Sequence, residues 1–115
     1  MYETHIFLDF EMNPIPRDFG EAREIARAEI VEIGAVKLDR EYRLVDRYSR
    51  FVKPEYGPIQ PHITRLTGIT DADVAGALPF APAMEAFGEW IGPGRTRIYS
   101  WSRTDQYQLY DESWL

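Results

Sequence analysis

Asp9 and Glu11 stand two residues apart in Thr4-His-Ile-Phe-Leu-Asp-Phe-Glu11, a segment whose alternate positions divide into two faces. In an extended strand, side chains two apart project from the same face, about 7 Å apart along the chain. The two carboxylates therefore point one way, with His5 and Phe7, while Ile6, Leu8 and Phe10 point the other. Neighbouring carboxylates repel, and sinking both into a central strand is costly unless a cation neutralises them. The chain has no cysteine, so a metal would sit on oxygen or imidazole ligands, the preference of magnesium and manganese. Two such ions about 4 Å apart would orient a water and stabilise the leaving oxygen of a phosphodiester. An edge strand with solvated acids is the other reading of this pair. A third acid, Asp105, lies just past an apolar segment at the expected start of a helix. Ligands gather at such places in α/β sheets, and the helix dipole alone also favours an acid there.

The elements that must position these groups follow from periodicity. A first strand is expected over 4–11, with apolar residues on both faces, hence central. Residues 12–28 contain Pro14, Pro16 and Gly20 and read as a loop with at most a helical turn, a poor place for a core. The β-branched run Glu29–Leu38 predicts a second strand, and a polar turn at Asp39-Arg40-Glu41 leads to a third over 42–52, giving an antiparallel meander. Pro54, Pro58 and Pro61 end it. Short helices are expected near 62–67 and 71–75, separated by Gly68. Ala83, Met84, Phe87, Trp90 and Ile91 recur at helical spacing before Gly92-Pro93-Gly94. A fourth strand is expected over 97–101 and a helix over 104–115, with Thr104 as N-cap. A meander, a crossover helix, a further strand and another helix make a mixed α/β sheet, read as one domain over 1–115.

Composition constrains function less. With 13 Lys plus Arg against 19 Asp plus Glu, the formal charge of −6 is the wrong sign for general electrostatic attraction to nucleic acid. Divalent cations on a carboxylate cluster would reverse that sign locally. No apolar run reaches membrane-spanning length, and the start Met1-Tyr2-Glu3-Thr4-His5 is neither basic nor apolar. A cytoplasmic protein without a membrane partner is the expectation, and the lack of cysteine fits a reducing compartment.

Five ordered blocks carry a family resemblance: Ile6-Phe-Leu-Asp-Phe-Glu-Met12, Glu29-Ile-Val-Glu-Ile-Gly-Ala-Val36, Phe51-Val-Lys-Pro54, Leu66-Thr-Gly-Ile-Thr70 and Ser100-Trp-Ser-Arg-Thr-Asp-Gln-Tyr-Gln-Leu109. Together they resemble the DEDDh 3′→5′ exonucleases, with the phrasing around Asp9 and Leu66 most similar to the branch of KapD-like proteins and the histone-mRNA exonucleases. The resemblance implies a ribonuclease H-like fold, two divalent ions (magnesium or manganese), and hydrolysis of single-stranded nucleic acid from its 3′ end, RNA being favoured. It implies that Asp9 and Glu11 are ligands of the catalytic ions and that Asp105 reaches the second ion directly or through water. It also implies contact with the terminal nucleotide by Phe10 between the two acids, by Met12 after them, and by Leu66 and Thr67 in the glycine-containing turn.

The family's third motif, a histidine general base followed five residues later by an aspartate, has no match: His5 precedes the first motif, and His62 is followed five residues later by Thr67. The expectation is a chain truncated before that motif and nearly inactive alone, since a missing base removes a factor of about 10² to 10⁴. Its last helix would then expose Leu109, Tyr110, Trp114 and Leu115 and associate with another copy or a second chain. Trp90, Phe87 and Trp101 read as core, with base stacking as their alternative. The competing function is a non-catalytic nucleic-acid or protein-binding module that kept the fold.

Overall fold

The computed structural model describes residues 1–100 and 103–115. Strand β1 (Thr4–Pro14) runs antiparallel to β2 (Ala28–Asp39), which pairs in turn with antiparallel β3 (Leu44–Lys53). Between β1 and β2 lies a short helix, α1 (Gly20–Ile25). After β3 come α2 (Pro61–Thr67), α3 (Asp71–Val74), a two-residue β4 (Leu78–Pro79) and α4 (Phe80–Ile91). Strand β5 (Thr96–Ser100) then lies parallel to β1, and α5 (Arg103–Glu112) follows. The sheet order is β4-β3-β2-β1-β5, so β1 is interior.

Local chemistry sets the boundaries. At the β2–β3 turn the Asp39 carboxylate accepts from the Glu41 and Arg43 amides (2.9 Å each), holding Tyr42 in the left-handed region at φ 63°. Pro61 begins α2 and Gly68, at φ 81°, ends it. Thr70 and Asp73 form a reciprocal capping box at the start of α3. The sheet then buries apolar side chains on both faces. Ile6, Leu8 and Phe10 of β1 join Ile30, Ile33 and Ala35 of β2, Val52 of β3, and Ala83 and Phe87 of α4. Val31 instead joins Ile59, Ile63, Ile69 and Val74 in a second cluster beneath α2 and α3. The split arises at a bulge, where Glu11 pairs Glu32 but Met12 pairs Ile30, leaving Val31 without a partner on β1. Consecutive apolar residues can thus feed different clusters.

The expected fold class is observed, with several local differences. The stretch after Glu11 is not an uncored loop. β1 continues to Pro14, and Asn13, Ile15 and Ala26 are buried, because the ladder with β2 outlasts the apolar alternation. Strand β4 is too short to leave a periodic signal. Helix α5 begins at Arg103, so Thr104 lies inside it rather than capping it, and the preceding position falls outside the described residues, as does Trp101. Phe87 is buried, and Trp90 packs on the first cluster and donates its indole N–H to Asp46 at 2.9 Å. No helix among the described residues is long and apolar enough to cross a membrane.

Asn13 is fully buried, donating from Nδ2 to the Pro58 carbonyl at 3.0 Å and accepting from the Gln60 amide at 2.9 Å. This pins the approach to α2 onto β1. Replacing it, Asn13→Leu, orphans both backbone groups and should cost about 2–3 kcal/mol in urea unfolding; a near-neutral result would show that the tie is not structural.

Candidate active site

The second face of β1 carries the acids. In the β1–β2 register Asp9 stands opposite Gly34 and Glu11 opposite Glu32. Gly34 contributes no side chain, so the space beside Asp9 stays open. Glu32 sets a like charge directly across the ladder from Glu11, a destabilising pairing on its own. Asp9 is exposed, Glu11 and Glu32 are half-buried, and Asp105 is buried. Burial raises the Glu11 carboxyl above its ordinary range, and the charges of Asp9, Glu32 and Asp105 raise it further. Glu32 is raised by burial, then by Asp9 and Asp73, against the lowering effect of a hydrogen bond from Ser49. Asp105 is raised by burial and by Asp9, while the Phe10 backbone N–H, donating to it, works the other way.

Among the described side chains, no lysine or arginine enters these balances. The ion pairs among the described residues are those of Arg43 with Asp39 and Glu41, at the β2–β3 turn. The structure therefore brings Asp9, Glu11 and Asp105 into one negative field, and adds Glu32, which the sequence reading did not single out. Among the described residues no three acidic or imidazole side chains stand close enough to hold an ion as they are placed. As a donor set their chemistry suits magnesium or manganese: hard carboxylate oxygens beside a glycine.

Asp105 arrives from the far end of the chain on α5, whose inward face is polar. Asp105, Gln108 and Glu112, spaced three and four residues apart, are all buried. Gln108 donates from Nε2 to the Ala28 carbonyl at 2.7 Å and to the Glu112 carboxylate at 2.9 Å, and that carboxylate accepts the Ile30 amide at 2.7 Å. Beside it, buried Glu29 accepts the Glu55 and Tyr56 amides at 2.7 and 2.8 Å. Sequence reading overlooked these groups: an acid in a β-branched strand is visible, but its partners lie 26 and 27 residues away, and those of Gln108 and Glu112 lie 80 and 82 away.

The expected nucleotide contacts are placed differently from one another. The Phe10 side chain is buried in the first cluster and Met12 packs against it, on the face opposite the acids, so Phe10 reaches the site through its backbone N–H. Leu66 is 81% exposed on α2. The Thr67 hydroxyl donates to the Ile63 carbonyl and accepts the Ile69 amide, closing the turn. His62 is exposed on α2. His5 is buried, stacked on Tyr42 with ring centroids 4.2 Å apart and bonded through Nδ1 to the Tyr99 hydroxyl at 2.8 Å.

Residues 6–107 match the family model RNase_T, described as exonuclease. The chain belongs to this exonuclease family. It is 34% identical over 62 residues to the PolC-type DNA polymerase III of Streptococcus thermophilus, a match that covers 54% of this chain and 4% of that protein. The corresponding polymerase of Listeria monocytogenes is 33% identical over 63 residues, covering 55% and 4%. Among solved structures, the nuclease domain of 3′hExo, a DEDDh family member bound to rAMP, superposes with a TM-score of 0.76 at 21% identity, covering 97% of this chain and 60% of that one. E. coli exonuclease I with a dT13 oligonucleotide gives 0.70 at 18% identity, covering 92% and 22%. The fold is thus ribonuclease H-like, and the chain spans about three-fifths of the 3′hExo nuclease domain.

Burial pushes the Glu112 carboxyl up to about 7, and Glu29 adds to the rise, while the Ile30 amide and Gln108 oppose it. A raised native pKa favours folding fully below the unfolded value and is lost as pH climbs through about 7. The unfolding free energy should therefore fall between pH 5 and pH 8.5, with Glu112 contributing at most about 3 kcal/mol. Denaturant titrations across that range should show a flatter slope in Glu112→Gln; an unchanged slope would remove Glu112 as the cause.

Proposed function

We propose that this chain is the portion of a 3′→5′ exonuclease that holds two magnesium or manganese ions and the 3′ end of single-stranded nucleic acid, RNA ahead of DNA. The observation that carries the reading is that Asp9 from β1 raises the proton affinity of both Glu11 from β1 and Asp105 from α5, so that the three share one field. Asp9 and Glu11 would hold the ions from the strand and Asp105 from the helix. Bound there, the ions would supply an activated water and charge neutralisation at the leaving oxygen. Exposed Leu66 would meet the terminal nucleotide. The preference for RNA is supported by the resemblance to the histone-mRNA exonuclease branch. Similarity to a structure holding oligo-dT keeps DNA as a comparison substrate.

The sequence contains no histidine followed five residues later by an aspartate, so the chain alone would turn over slowly. The expected deficit is a factor of about 10² to 10⁴ relative to an enzyme with the general base. Manganese or magnesium should raise the melting temperature of the purified chain, more at pH 8 than at pH 5.5, because the ligands must shed protons to bind. Asp9→Asn and Asp105→Asn should abolish the rise. A melt indifferent to either ion would end the metal-site reading, and robust metal-dependent release of nucleotides by the 115-residue chain would end the low-activity reading.

The missing third motif also favours the second reading, a binding module without chemistry. Oligonucleotide affinity that survives the triple replacement of Asp9, Glu11 and Asp105 would select it. Tyr107, Tyr110 and Trp114 are 61–66% exposed on and after α5, which supports association with another copy or a second chain. Sedimentation should then show a concentration-dependent dimer; a monomer at all concentrations would count against this.

A further inference from the structure

Helix α5 meets the sheet chiefly through polar groups. Leu109 packs against the first apolar cluster, but the buried side chains at three- and four-residue spacing are Asp105, Gln108 and Glu112. Each meets backbone groups of β1 or β2. The described pairing of β5 with β1 runs from Thr4 and Thr96 to Leu8 and Ser100, and two residues further along β1 the Phe10 backbone N–H donates to Asp105. On the other side of β1, next to the bulge that sets Val31 aside, the Ala28 carbonyl and the Ile30 amide are taken by Gln108 and Glu112. Apolar contacts tolerate sliding and rolling of a helix. Hydrogen bonds to fixed backbone groups are directional, so bonds one and two turns along α5 set both its rotation and its position along the axis.

We propose that Gln108 and Glu112 are positioning residues for Asp105: by gripping the start of β2 they hold the first turn of α5 where its carboxylate faces the acids of β1. The proposal rests on the reading of Asp105 as a ligand for a divalent ion. The clasp is itself braced, because Glu29, between the two gripped residues, binds the Glu55 and Tyr56 amides after β3. Loss of Gln108 or Glu112 leaves a buried backbone group unpaired and frees the helix to roll. Asp105, seven residues from Glu112, would then lose its bond from Phe10.

The test compares the full chain with Glu112→Leu, Glu112→Gln and Gln108→Ala. It follows the Phe10 and Ile30 amides by NMR-detected hydrogen exchange and manganese binding by calorimetry. In Glu112→Leu and Gln108→Ala the Phe10 amide should exchange at least about tenfold faster, and manganese affinity should fall about 10- to 100-fold, as for removal of a partner that orients a metal ligand. Glu112→Gln keeps an acceptor for Ile30 and should restore both. Unchanged Phe10 exchange and unchanged manganese affinity in the folded variants would overturn the proposal, even if Ile30 exchanges faster. If Glu112→Leu does not fold, Gln108→Ala decides. If the unaltered chain binds no manganese, the metal reading fails, and the Phe10 amide still decides whether the clasp fixes Asp105.

Discussion

Negative charge gathered on one face of an interior strand is the constraint around which this molecule is arranged. A sheet that only needed stability would not set Glu32 across from Glu11, nor let both share a field of like charge with Asp9 and Asp105. Like charges half-sunk among apolar groups raise one another's proton affinity and work against folding. Such an arrangement persists when another part of the structure holds it. Here the stabilising parts are the apolar cluster on the opposite face of β1 and the second cluster under α2 and α3.

The β1–β2 bulge connects these demands. By setting Val31 aside it sends Ile30 to one cluster and Val31 to the other. At the same point the Ile30 amide is taken by Glu112 rather than by the ladder. One irregularity thus supports packing on both faces and provides an attachment point for the helix that carries Asp105.

Membership in the exonuclease family agrees with this geometry. The family match covers residues 6–107, which includes all three acids. The histidines are placed otherwise: His5 is buried under Tyr42 and bonded to Tyr99, a structural role in the sheet, and His62 is exposed on α2.

Much of this was legible in the residues themselves. Alternation in β1 separated Asp9 and Glu11 from the core, because a strand has a period of two. The β-branched run of β2 and the spacing of Ala83 and Phe87 in α4 stated their elements in the same way, and the ordered blocks named the family. Other features depend on contacts between residues far apart in sequence. The bulge at Val31, the opposition of Glu32 to Glu11, and the core roles of Asn13 and Ile15 follow from strand register, which no local pattern encodes. Met12 reads as a neighbour of the acidic pair, yet β1 stays extended past it and turns its side chain to the other face. The polar inner face of α5 reads as a solvated helix until the sheet places Ala28 and Ile30 beneath it. Sequence alone determined which residue types face together within each element; tertiary structure decided which elements share a backbone, because the hydrogen bonds that fix α5 join residues 80 and 82 positions apart.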